Sequence, residues 1–262
     1  MNKIIISDKE IKFEKKDGLI DMIVEGSSKV IGVCQIKLIV KESTSLKIKQ
    51  KMKKQKKFHI ILEVKPEVVL NVLDFKQGEN FQMEYEYSLE KNSTLNLLKF
   101  YDTKQGRESD LIDLNGENAE ISYHLKTISR ENQVFDLRVH HNASTTKSNI
   151  IHHGVNMQDG SLSFNLTGIV YKDKVNCILN QNSRIVTLNE KKCNINPNLL
   201  IEENDVIANH SAFVGKFSEE ELFYLQSRAI SYQEALSLLI KGFLLENIHD
   251  EEIIKTINQY WR

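Results

Sequence analysis

The chain has 262 residues, 40% of them apolar, and a formal net charge of -1. That length allows one large domain or one domain with an appendage, and the balanced charge gives no overall pull toward nucleic acid or membrane. No apolar run approaches the ~18 residues a membrane helix needs, and the run at Ile4-Ile5-Ile6 is too short for a secretion signal.

A cytoplasmic protein is expected, or a stromal one if a transit peptide has been trimmed. The sequons at Asn92, Asn142, Asn165 and Asn209 are then chance matches. Cys34, Cys177 and Cys193 are three in number and lack C-x-x-C spacing, so neither a disulfide framework nor a zinc ribbon follows.

Strand pattern begins almost at once, so no helical segment is expected ahead of it. The first marked feature is a lysine run from Lys47 to Lys57. One reading is a basic patch for an acidic partner, but without interleaved aromatic residues it lacks a nucleic-acid platform. It reads better as a solvated edge strand whose lysines block edge-to-edge pairing.

From about residue 20 to 215 the apolar pattern has period two. Phe81, Met83, Tyr85, Tyr87 and Leu89 alternate with polar residues, as do Phe135, Leu137 and Val139, and later Leu162, Phe164 and Leu166. Polar breaks such as Asn115-Gly116-Glu117-Asn118 and Gln158-Asp159-Gly160-Ser161 separate the runs. A sandwich, a barrel and a β-helix all accommodate this pattern. Scarce two-residue Asn-Gly hairpins and repeated polar corners favour a coiled β stack, although no fixed repeat length is readable.

After Gly215 the character changes. Ser218 with Glu221, and Ser231 with Glu234, are two capping boxes. They open two helices, the second lined by Ala235, Leu238, Leu239, Gly242 and Phe243. A third helix, Glu251 to Trp261, carries Ile253, Ile254 and Ile257 at helical spacing. The expected division is a β domain over 1–216 and a helical domain over 217–262. The tail's apolar face is too rich to bury on itself, which predicts a docking surface.

Chemistry-bearing residues are few. His140-His141 and His152-His153 are pairs in which one member of each can face a shared metal site; half-exposed histidines are the plainer reading. Cys177 alternates with Val175 and Leu179 and reads as buried and inert. Cys193 follows Lys191 and Lys192, whose charge would lower its pKa. His210, between Ala208 and Ala212 at the end of the β region, looks buried and could ligate a metal or act as a base, although from spacing alone a capping or interface histidine is the plainer reading. No phosphate loop, nucleophile elbow or lyase-type acidic cluster occurs, so a catalytic site is not expected and a β-helical carbohydrate-active protein is a remote alternative.

The segment from Asn209-His210-Ser211-Ala212 through Phe223-Tyr224-Leu225-Gln226-Ser227-Arg228-Ala229-Ile230 resembles the SufB/SufD family of iron–sulfur cluster assembly proteins. So do His140-His141 with Thr146-Lys147-Ser148 and His153-Gly154-Val155, then Phe164-Asn165-Leu166-Thr167-Gly168, Gln181-Asn182-Ser183-Arg184 and Pro197-Asn198-Leu199-Leu200-Ile201. The likeness covers about residues 110–245.

It implies a right-handed parallel β-helix followed by a small α-helical domain. It also implies docking to a SufC-type ABC ATPase, which binds the ATP, through Leu222, Phe223, Tyr224, Arg228, Ile230, Ala235 and Leu238. A SufB-like homologue, or a second copy of the chain, would pair through a joint at Leu200, Val206, His210 and Val214. His210, and less directly Cys193, would be metal ligands toward a transient Fe–S cluster; no tightly bound cofactor is implied. Where SufB has a cysteine six residues before Pro197, this chain has Lys191, and SufB's glutamate after the histidine is Ser211. SufD often has a cysteine at the position of Ala208, and the usual Ser-Arg-Gly is Ser227-Arg228-Ala229. The chain is therefore closer to SufD than to SufB. A minimal scaffold that homodimerises and binds the cluster itself is the alternative.

Overall fold

A computed structural model describes residues 2–7, 11–14, 20–25, 33–52 and 57–261. They form β1 (Asn2–Ser7), β2 (Ile11–Glu14), β3 (Ile20–Glu25), β4 (Val33–Val40), β5 (Thr44–Met52), β6 (Lys57–Val64), β7 (Val69–Leu89) and β8 (Thr94–Leu114). The chain continues through β9 (Glu120–Ser129), β10 (Asn132–His141), β11 (Lys147–Asn156), β12 (Ser161–Val170), β13 (Cys177–Thr187), β14 (Asn194–Ile201) and β15 (Val206–Gly215). Three helices follow, α1 (Glu219–Gln226), α2 (Tyr232–Leu245) and α3 (Glu251–Tyr260).

From β4 onward every strand pairing is parallel apart from that of β3 with β4, and the chain winds as a β-solenoid with two faces. One face stacks β5, the first half of β7, the first half of β8, β9, β11, β13 and β15. The other stacks β4, β6, the second halves of β7 and β8, β10, β12 and β14. Each coil contributes one strand to each face, and alternate side chains point into a shared interior.

Registers explain why no repeat length is readable. Leu70 pairs with Leu95 and Leu95 with Ile121, steps of 25 and 26 residues. Ile121 to Ser148, Ser148 to Leu179 and Leu179 to Ala208 are steps of 27, 31 and 29. The strands keep register while the corners absorb the difference. At one corner Glu67, Asn92, Asn118 and Thr145 repeat a left-handed conformation with φ between 55° and 63°, which asparagine tolerates well. Asn118 donates to Asn92, and Asn142 to Asn115, so asparagine ladders bind successive corners. At the bend between the two halves of β8, Gly106 has φ 152° and a Cβ there would stand 2.3 Å from the ring of Phe81. Only glycine fits that approach.

The interior rows are mostly apolar and bury Leu46, Leu70, Leu95, Ile121, Phe135, Phe164 and their neighbours in one cluster. A second cluster lies outside the solenoid. There Phe75, Phe100, Ile128, Val155 and Val186 on the outer side of the first face are covered by Ile240 and Leu244 of α2 and Ile253 and Ile257 of α3. At roughly 1.5–3 kcal/mol per buried large apolar side chain, this contact is strongly stabilising. The tail's apolar face is thus largely covered by the chain's own sheet, which corrects the expectation that the whole face awaits a partner.

The lysine run also takes a different role. β5 lies between β1 and β7, so it is not an edge. Lys47 and Lys49 point outward and reach Asp250 and Glu252 at the start of α3, each at 2.5 Å. Asp250 is the N-cap of that helix, so the two lysines clamp the tail from 203 residues away. Lys53 to Lys56 lie outside the described residues.

Candidate functional site

Most docking and joint residues singled out from the sequence lie at two places: the open end of the solenoid and the uncovered side of the helical tail. Among the described residues β15 pairs only with β13, and β14 only with β12, so each leaves one edge without a strand partner. Period-two sequence drives both strands, but no further coil seals their inner row. Val206 and Ala208 pack partly on Cys177 and Leu179, while His210, Ala212 and Val214 are exposed. Leu200 is 54% and Ile207 58% exposed on the same coil. Val206, His210 and Val214 lie in the inner row of β15, and Leu200 lies in the outer row of β14 on the same last coil.

His210 is exposed, not buried as its alanine neighbours suggested. Its row is the reason: it stacks on Gln181 below and has no strand above it. Gln181 Oε1 and Ser183 Oγ, both buried, have no hydrogen-bond partner beneath this end.

The thiols are placed differently from one another. Cys177 is buried, with Sγ 3.4 Å from the carbonyls of Ala143 and Lys174, in keeping with an inert core thiol. Cys193 packs against the main interior cluster, and burial raises its pKa above the ordinary thiol value despite a backbone hydrogen bond at Leu162. Desolvation is the largest influence on this thiol, which overturns the depression expected from Lys191 and Lys192. Mass-spectrometric mapping of iodoacetamide labelling at pH 7 should find Cys193 about tenfold slower than a small free thiol. A rate equal to the free thiol would contradict this placement.

The paired histidines separate as alternation requires. His141 faces inward, bound to Thr146 Oγ1 at 2.7 Å and Ser148 Oγ at 2.9 Å. His152 also faces inward, its ring edge-on to Phe164. His140 meets Asp113 at 3.1 Å, and His153 stacks on Phe243 of α2. Burial holds His141 and His153 neutral, with pKa values of about 4. The pairs build no common site, and among the described residues no three His, Cys, Asp or Glu side chains converge as a metal requires.

The tail's free surface centres on α1. Both predicted capping boxes are present, Ser218 with Glu221 and Ser231 with Glu234. Yet α1 has eight residues and buries none of them. So short a helix is marginal in water, and caps alone add only about 1 kcal/mol. Phe223 is 72% and Tyr224 57% exposed, with Tyr232 and Leu238 also exposed beside them. Arg228 donates to Tyr224 Oη at 2.6 Å and stacks on its ring. Leu222 and Ile230 are half-buried, whereas Ala235 is buried in the tail and offers no surface.

One residue without an assigned role in the sequence reading links the two surfaces. Arg184, on the outer side of β13, lies over the rings of Phe213 in β15, Phe217 in the linker and Phe243 in α2, at 5.2–5.6 Å. Its Nη2 is 3.8 Å from Glu221 of α1. The signal was faint: an arginine at an outward position, with its aromatic partners 29 or more residues downstream.

Comparison with known proteins bears on both surfaces. The SufBD core domain of the SUF system for FeS cluster assembly matches residues 34–243. The iron-sulfur cluster assembly protein SufD of Bacillus subtilis is 36% identical over 117 residues, covering 44% of this chain and 27% of that protein. SufD of Escherichia coli is 30% identical over 153 residues, covering 55% of this chain and 36% of that protein. The SufBD family protein ycf24 of Galdieria sulphuraria is 32% identical over 119 residues, covering 41% of this chain and 54% of that protein. The chain thus spans between about a quarter and a half of these relatives' lengths.

Proposed function

The chain belongs to the SufBD core family of the SUF system for FeS cluster assembly, and we propose that it is a SufD-like, non-catalytic subunit of a cytoplasmic scaffold complex. In this reading the tail docks a SufC-type ABC ATPase through Phe223, Tyr224 and Leu238. The solenoid's open end pairs with a SufB-like homologue, and ATP is bound by the ATPase partner.

What supports the reading most is the open end. Two unpaired strand edges and an unsealed inner row are a liability that folded proteins cover. A second solenoid set against β14 and β15 would complete the strand ladder and bury Leu200, Ile207 and Val214. The uncovered α1 supports the docking half in the same way, because a helix without buried residues gains its order from a partner.

Among the described side chains, which leave out that of Cys34, the donor set does not fit a resident cluster. Cys177 is sealed in the interior and Cys193 is held in its thiol form by burial. The cluster is better treated as cargo built at the joint, where His210 offers one imidazole and the homologue supplies most of the thiols. The second reading, a homodimer that holds the cluster through His210 and Cys193, has the symmetry of a two-fold joint in its favour; the raised pKa of Cys193 weighs against it.

Co-purification decides between them. The tagged chain should retain the ATPase and the SufB-like homologue from a mixture; retention of neither would refute the proposal.

A further inference from the structure

The solenoid interior holds charge that apolar alternation would not place there. Asp74 and Lys76 from β7, and Lys99, Glu108 and Asp110 from β8, all point inward and are at most 3% exposed. Lys76 bonds Asp74 at 2.5 Å, and Lys99 bonds Glu108 at 2.7 Å and Asp110 at 2.5 Å. Among the described residues, three carboxylates therefore face two ammonium groups in a buried, low-dielectric space. An uncompensated charge there is expensive.

We propose that the solenoid interior binds one proton, on Asp110, which balances the three buried carboxyl groups against the two buried ammonium groups. Both hydrogen bonds that Asp110 receives, from Lys99 and from Tyr123, fall on Oδ2, while Oδ1 is buried and unpartnered. Asp74 Oδ1 is unpartnered too, but Asp74 holds the Lys76 ammonium at 2.5 Å, whereas Asp110 shares that of Lys99 with Glu108. Tyr87 Oη, on the same face one coil below, is also buried without a partner. By contrast Glu108 is engaged at both oxygens, by Lys99 and by Tyr101.

The surroundings agree from every side. β7 also presents Tyr85, which donates to Asp74 at 2.5 Å, and β5 presents Gln50, which donates to Tyr85. β11 presents His152, kept neutral with a pKa of about 3 by burial and by Lys99. β10 and β12 present Phe135, Leu137, Phe164 and Leu166, which carry no charge. Burial and then Glu108 raise Asp110 to about 7, while Lys76 and Lys99 overcome burial to hold Glu108 low.

The folded chain keeps a proton that the unfolded chain, with an aspartate pKa of about 3.9, releases. This contribution is full below about pH 4 and is lost as pH rises through about 7. Asp110→Asn resembles the protonated state at every pH and lacks that dependence. The urea midpoint of the wild type should fall relative to that of D110N between pH 5 and 8, then run parallel above it. Infrared titration of the intact wild type should show a buried protonated-carboxyl band that fades near pH 7.

A constant midpoint difference from pH 5 to 9, or no such band at pH 5, would overturn the proposal. So would a band absent at pH 5 together with a midpoint set by sodium or potassium concentration, which assigns the balancing charge to an alkali cation. Should D110N fail to fold, the infrared titration of the wild type decides alone.

Discussion

Replacing Phe223 and Leu238 together by glutamate should abolish capture of a SufC-type ATPase and leave the fold of the chain intact. Phe223 is 72% and Leu238 49% exposed, so neither carries the chain's own core. At such positions substitutions change stability by about 0.5 kcal/mol or less, and circular dichroism and the thermal midpoint should hold. In a complex the same residues would be anchors worth about 2 kcal/mol or more each, and a buried unpaired carboxylate costs more still. Affinity should therefore fall by at least about a thousandfold, from two such losses at about 1.4 kcal/mol per decade. Ala235→Ser is the matched control. Ala235 is buried inside the tail, so its effect should appear in stability and not in docking. Unchanged capture by the double variant would remove the tail from the docking role.

The largest loss of stability should come from Lys99→Met. Lys99 is fully buried, bonded to Glu108 and Asp110, with its ammonium 3.7 Å from the centroid of Tyr85. Although burial alone opposes its charge, Asp110, Glu108 and Asp74 raise its pKa, so it stays protonated. Methionine keeps the stem's packing and removes only the charge. Breaking a buried pair this way typically costs about 3–5 kcal/mol, because a carboxylate is stranded. Adding Glu108→Gln restores the balance, since one positive and one negative charge then leave together. Urea unfolding should show the double variant recovering a substantial part of the loss. A K99M protein as stable as the wild type would mean that the interior charges are not coupled.

How far the sequence carried this picture depended on the range of the interactions. Alternation over Phe81 to Leu89 and the boxes at Ser218 and Ser231 are local signals, and they placed strands and helix starts correctly. Family likeness at Asn209-His210-Ser211-Ala212 selected the solenoid from three all-β options. The coil repeat stayed hidden because its steps vary from 25 to 31 residues. What failed was long-range: Lys47 meets Asp250 across 203 residues, which no charge run reveals. The exposure of His210 depends on the missing coil above it, and the raised pKa of Cys193 on burial against the interior cluster. Both were read from neighbours in sequence, which did not decide either. The interior charges were invisible for the opposite reason, since a polar residue at an inward position looks like a break in the pattern.

Native mass spectrometry of the chain mixed with a SufB-like homologue and a SufC-type ATPase tests the central claim most directly. One assembly is expected that contains a single copy of this chain together with both partners, and that loses the ATPase alone when Phe223 and Leu238 carry the glutamate substitutions. A chain that stays monomeric, or that pairs only with itself, would contradict it.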